Sequence, residues 1–205
     1  MPKSLYIDPE VVRKSGKITF EDIPMNVYQK TVKDEVGNFT KEQLVNIYRD
    51  MLTLREFETM INLIKTTGEY EGVAYNHPGP AHLSMGQEAA AVGQAFHLTA
   101  DDFIFGSHRG HSDILAKGLS AIEKLSDDEL MDIMKNFLDG KTLAVVEKQP
   151  HDTIKDLAID FLLYGAMAEI FARETGFNRG LGGSMHTFFP PFGIYPNNAI
   201  VGGSG

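Results

Sequence analysis

Cysteine is absent from these 205 residues, which removes disulfide frameworks, thiolate nucleophiles and cysteine-held zinc or iron–sulfur centres together. Any metal would have to be held by His, Asp or Glu. Basic residues are few: 19 Lys and Arg stand against 28 Asp and Glu, for a net charge of -9. No basic run offsets that balance, so a nucleic-acid partner is disfavoured by long-range repulsion of its phosphates and none is expected. No run of about 18 apolar residues occurs, and the opening MPKSLYIDPEVVRKSG has no signal-type apolar core. Neither a membrane partner nor export is expected, and the cytoplasm is the default location. What remains is 42% hydrophobic and 23% charged, an ordinary globular composition, long enough for one sizeable domain or two small ones.

Residues 1–39 mix Pro2, Pro9, Pro24, Gly16 and Gly37 with short apolar runs such as KITF and read as an extended arm. Thr40-x-x-Gln43 is a capping box. Beyond it Leu44, Ile47, Tyr48, Met51, Leu54, Phe57, Met60, Ile61 and Ile64 recur at helical spacing until Gly68, predicting one long amphipathic helix whose stripe is core or subunit interface. In GVAYNHPGPAHLSMGQEAAAVGQAF a Gly/Pro-rich loop delivers His77 and His82 ahead of Ser84-x-x-Gln87, which reads as a second capping box for a helix of small residues. That places His82 at a helix mouth. Residues 121–160 carry ten acids and five lysines and read as a solvated surface insertion. Within them SDDELMDIMKNFLDG is a capped helix and KTLAVVEKQP is strand or loop. TIKDLAIDFLLYGAMAEIFARETG returns to helix, and the chain closes on the glycine-dense FNRGLGGSMHTFFPPFGIYPNNAIVGGSG. Short strand-like runs such as DFIFG and NAIVG between capped helices predict an α/β domain with a mostly parallel sheet.

Two stretches can carry chemistry. FGSHRGHS gathers His108 and Arg109 between two glycines, with His111 directly after the second. The spacing His108-x-x-His111 fits a metal, a guanidinium beside imidazoles fits a diphosphate, and a solvated polar loop fits equally. GLGGSMH lacks the order and the preceding strand of a phosphate loop, and Ser184 with His186 has no acid or elbow to complete a hydrolase triad.

Taken in order, HLSMGQEAAAVG, DDFIFGSHRGH, RGLGGSMH and AIVGG resemble the alpha subunit, or the alpha half of a fused chain, of thiamine-diphosphate-dependent 2-oxo acid dehydrogenases and acetoin dehydrogenases. The likeness covers residues 40–205 apart from the acidic segment. It implies an incomplete thiamine-diphosphate-binding domain after the 1–39 arm. It also implies a parent enzyme that decarboxylates a 2-oxo acid or cleaves acetoin and passes the acyl group to a lipoyl-bearing acyltransferase. By the same resemblance His82 faces the reacting carbon, with His111 and His186 near it as further catalytic candidates. Arg109 contacts the cofactor diphosphate and His108 stands where tyrosine is commoner. Ala199 and Val201 belong to the segment that brackets the aminopyrimidine.

The family holds magnesium and the diphosphate with a G-D-G block that this sequence does not contain, and takes an activating glutamate from the beta subunit. Residues 1–205 alone are therefore expected to bind no cofactor, to be inactive, and to belong to an oligomer with that beta partner. Two other readings remain at this stage: a partner-binding module built on helix 41–67 and the acidic segment, and a metal-dependent hydrolase using His108, His111 and Asp113.

Overall fold

The computed structural model describes residues 8–17, 19, 21–25, 27–77 and 79–196. The chain divides into two compact units, Met1–Phe39 and Thr40–Gly205. The first holds two single-turn helices, α1 (Pro9–Val12) and α2 (Val32–Glu35). Each is started by a side chain that accepts a backbone N–H: Asp8 from Glu10, and Asp34 from Thr31.

The second unit begins with α3 (Lys41–Thr67). Thr40 and Gln43 exchange hydrogen bonds across its first turn, and Gly68, at φ 76°, ends it in the left-handed conformation that costs glycine least. Its inner face buries Leu54, Phe57, Ile61 and Ile64. Tyr48 was expected in that stripe but is 63% exposed; with Val45 and Leu52 it forms an outer apolar face. A hairpin of β1 (Glu69–Tyr70) and β2 (Val73–Ala74) follows, paired antiparallel. Beyond a loop come α4 (Glu88–Ala95), β3 (Ile104–Phe105), α5 (His111–Lys124), α6 (Asp127–Asn136), α7 (Leu143–Val146), α8 (Ile154–Ile170) and β4 (Ile194–Tyr195).

The α5 helix is the centre of the unit: every residue from Ile114 to Ile122 is buried, and α3, α4 and α8 pack around it. A ring cluster of Phe137, Phe161, Phe177, Phe189 and Phe192 closes one side, with Phe177 and Phe189 stacked at 4.5 Å between centroids. The chain makes room for it at Gly165 of α8, where a Cβ would stand 2.2 Å from the Phe177 ring.

Two expectations are corrected. Residues 121–160 are not laid on the surface: their charges face solvent, but Ala121, Ile122, Leu130, Met134, Leu143, Val146, Leu157 and Ala158 are core residues, because the acids and lysines occupy only the outer helix faces. The KTLAVVEKQP stretch contains the helical turn α7, which buries Leu143 and Val146. The mixed α/β class is observed, yet the described residues carry only two two-stranded sheets, one of them the parallel β3–β4 pair. NAIVG lies almost wholly outside the described residues.

Candidate active site

The loop ahead of α4 folds inward. Ser84 does not cap α4 as its spacing suggested: its backbone N–H donates to Glu58 Oε2 at 2.8 Å, and its hydroxyl accepts the Ser112 N–H at 3.0 Å and lies 2.7 Å from Ser112 Oγ. A tertiary acceptor has displaced the local one. The helix begins instead at Glu88, whose carboxylate takes the Gly86 N–H and two hydrogen bonds from Arg55, at 2.7 and 2.9 Å. The guanidinium, ahead of any other cause, lowers the Glu88 carboxyl to about 2.

His111 opens α5 and is 2% exposed. Its Nδ1 lies 2.7 Å from Glu58 Oε1, and its Nε2 lies 3.0 Å from the Ser184 carbonyl and 2.9 Å from Ser184 Oγ. Ser184 Oγ also accepts the backbone N–H of His82, at 3.0 Å. Four segments remote in sequence are therefore tied at one buried point: α3, the loop before α4, the start of α5 and the glycine loop.

Above this point stand His82, His108 and Arg109. The rings of His82 and His108 meet edge to face, with centroids 5.7 Å apart. Partial burial first, then the Arg109 guanidinium, then the rings of His108 and His111, push the His82 imidazole below its usual range, so it is neutral at pH 7. Arg109 is exposed and anchored by one donor, Nη1 to the Leu83 carbonyl at 2.8 Å. Its other guanidinium N–H groups make no hydrogen bond among the described residues. Arg109 gives this rim a fixed positive charge and free donors beside the neutral imidazole of His82, the combination that binds an anion and leaves a base next to it.

The glycine loop does something else. Glu169, in the last turn of α8 and fully buried, accepts the N–H groups of Asn178 and Gly180 on Oε2, at 2.6 and 2.8 Å. On Oε1 it accepts those of Gly182 and Gly183, at 2.6 and 3.2 Å. The left-handed residues Arg179, Gly180 and Gly183 turn successive amides toward one point, the geometry of an anion nest. At Gly182 a Cβ would meet the His186 carbonyl at 2.4 Å. The nest is filled by the chain's own carboxylate, so its amides do not face a diphosphate.

The sequence-derived candidates thus divide. His82, His108, His111 and Arg109 are brought together. His186 is half-buried, and no hydrogen bond or ring contact among the described residues links its side chain to these four. Ala199 and Val201 lie outside the described residues. The metal reading of His108, His111 and Asp113 fails: His111 is spent on Glu58 and Ser184, and Asp113 faces a separate hollow with Lys117 and Gln94. No group of three or more metal-capable side chains occurs among the described residues. Glu58 and Glu169 were passed over, although each left a mark in the sequence. Glu58 is a carboxylate on the apolar face of α3, and Glu169 sits at a helix C-terminus, where the helix dipole disfavours it, just before clustered glycines.

Residues 64–149, which include His82, His108 and Arg109, match the family model of the dehydrogenase E1 component. The chain is similar to alpha subunits of that family. It is 31% identical over 174 residues to the alpha subunit of acetoin:2,6-dichlorophenolindophenol oxidoreductase of Bacillus subtilis, covering 85% of this chain and 38% of that protein. It is 28% identical over 167 residues to the pyruvate dehydrogenase E1 component subunit alpha of Rhizobium meliloti, covering 82% and 34%. Its identity to the mitochondrial subunit of Schizosaccharomyces pombe is 26% over 194 residues, covering 95% and 35%. The chain thus spans little more than a third of the length of the curated relatives it matches. No solved structure matches it.

Proposed function

We propose that residues 40–205 form the first part of a thiamine-diphosphate-binding domain, in which β3 and β4 start a parallel sheet. The chain then serves, with a beta subunit, in decarboxylating a 2-oxo acid or cleaving acetoin, the acyl group passing to a lipoyl-bearing acyltransferase. The observation that carries this reading is the rim itself: Arg109, held by one donor and open on the rest, beside His108 and a neutral His82. Magnesium ligands are assigned to parts of the parent protein other than the described residues, and the cytoplasm is the proposed location. No described helix is long and apolar enough to cross a membrane.

The residues present fit a diphosphate at the rim and not at the glycine loop. Arg109 would pair with the diphosphate through its planar fork, and His108 would add a ring N–H. Thiamine diphosphate, when bound, supplies the carbon nucleophile and the electron sink for cleavage next to a carbonyl. His82, held below its usual range by partial burial and then by the Arg109 guanidinium, accepts or returns a proton at the substrate oxygen, which an imidazole does with little driving force near pH 7. Ser184 holds the His82 backbone in place and touches no reacting atom.

The test uses a full-length alpha polypeptide containing these residues, together with its beta subunit. Arg109→Ala is expected to weaken thiamine diphosphate binding by roughly 1.5–3 kcal/mol, the range for a hydrogen bond to a charged group. His82→Ala is expected to leave that affinity intact and to lower turnover by about 100- to 10,000-fold. Calorimetry showing unchanged affinity in the arginine variant would sink the diphosphate role, and wild-type turnover in the histidine variant would sink the proton-transfer role.

A further inference from the structure

We propose that Glu58 is a positioning residue: its carboxylate holds His111 as a doubly protonated imidazolium, and the imidazolium clamps Ser184, whose hydroxyl fixes the His82 backbone. This deepens the reading above, on which His82 faces the reacting centre, and it stands on a different set of contacts.

The argument is one of donors and acceptors. A backbone carbonyl only accepts, so His111 Nε2, 3.0 Å from the Ser184 carbonyl, carries a hydrogen. On the other side of the ring, Glu58 Oε2 already accepts the Ser84 N–H at 2.8 Å, and Oε1 lies 2.7 Å from Nδ1, a charge-assisted distance. The oxygens around the ring belong to the Glu58 side chain, the Ser184 carbonyl and the Ser184 hydroxyl, each presenting lone pairs. Phe57, Ile114, Leu115, Ala166 and Ile170, with Thr187, line a hollow against the ring that has no room for water. Among the described residues the ion pair made by that ring is with Glu58, at 2.7 Å. Both partners are 1% exposed at the side chain, so removing one strands the other.

The clamp follows from the proton on Nε2. With Nε2–H shared between the carbonyl and Oγ of Ser184, that residue is held at two atoms. The same Oγ receives the His82 N–H at 3.0 Å. A neutral His111 with its proton on Nδ1 would face the carbonyl with a bare lone pair and would hold Ser184 by the hydroxyl alone.

The decisive measurement is a long-range 1H–15N correlation spectrum of the chain labelled at histidine, at pH 7. Both ring nitrogens of His111 are expected in the protonated range; a pyridine-type nitrogen at either position overturns the proposal. In Glu58→Gln the Ser84 N–H claims the amide oxygen, so the amide NH2 faces Nδ1. That nitrogen should turn pyridine-type while Nε2 stays protonated, and two protonated nitrogens in this variant would deny Glu58 its role. Ser184→Ala keeps the carbonyl and removes the hydroxyl. It should leave the ring signature unchanged and speed His82 amide exchange by about tenfold or more, as local protection is lost; unchanged exchange overturns the clamp. If Glu58→Gln does not fold, the wild-type and Ser184→Ala spectra still decide. None of these readouts involves cofactor or turnover, so a failure of the diphosphate assignment would leave them untouched.

Discussion

At the scale of single residues, the site is built from carboxylates whose partners decide what they do. Glu88 is the plainest case. Its folded-state carboxyl, at about 2, lies below its ordinary value of 4.5 because Arg55 and the Gly86 N–H bind the ionised form. The stability this contributes is fully present above about pH 4.5 and is lost as pH falls through about 2. Arg55 is half exposed, so solvent screens part of the interaction. Glu88→Gln is therefore expected to cost about 1–2 kcal/mol at pH 7 and almost nothing near pH 2. Urea unfolding of both proteins across that range checks it, and a pH-independent difference would show that shape and not charge matters there.

At the scale of elements, what could be read from the sequence is what depends on neighbours three or four residues away. Thr40 with Gln43, Ser126 with Glu129 and Thr153 with Asp156 each start the helix they were positioned to start. Ser84 had the same spacing and misled, because Ser112 and Glu58 satisfy it across 28 and 26 positions of chain. The site divides along the same line. Arg109 and His108 are adjacent in sequence, and His82 was placed by its motif, so the rim was legible. The Glu58–His111–Ser184 chain spans separations of 53 and 73 residues, and no local pattern reports such distances. Close approach between elements has the same origin. A Cβ at Gly165 would overlap the rigid Phe177 ring, so Gly165→Ala is expected to destabilise by about 1–3 kcal/mol through overpacking, even after the roughly 1 kcal/mol that alanine gains over glycine in a helix. A variant as stable as the parent in thermal unfolding would mean that α8 and Phe177 separate more easily than their packing implies.

At the scale of the whole molecule, the parallel pair is conspicuous for its edge. Among the described residues β3 pairs only with β4, and Phe103 and Phe105 beside it are 66% and 70% exposed, each with its ring against Tyr195. An open strand edge with exposed aromatic rings is a surface that associates. Against this works a net charge of -9, which keeps copies apart at low salt. The chain is expected to self-associate with rising concentration, more so at higher ionic strength, and Phe105→Ser to weaken that. Sedimentation showing a monomer at every concentration and salt level would count against the edge as a sticky surface.

Glu169 gives the glycine loop a meaning that its sequence conceals. The loop is a receptor whose ligand is tethered to it, since the carboxylate and the amides it satisfies are separated by 9 to 14 residues of the same chain. A tethered ligand competes at an effective concentration that free anions in solution seldom reach. Added phosphate therefore finds this loop occupied and distributes to the open guanidinium of Arg109. A loop rich in glycine is a receptor for an outside anion only when the chain has not already provided one.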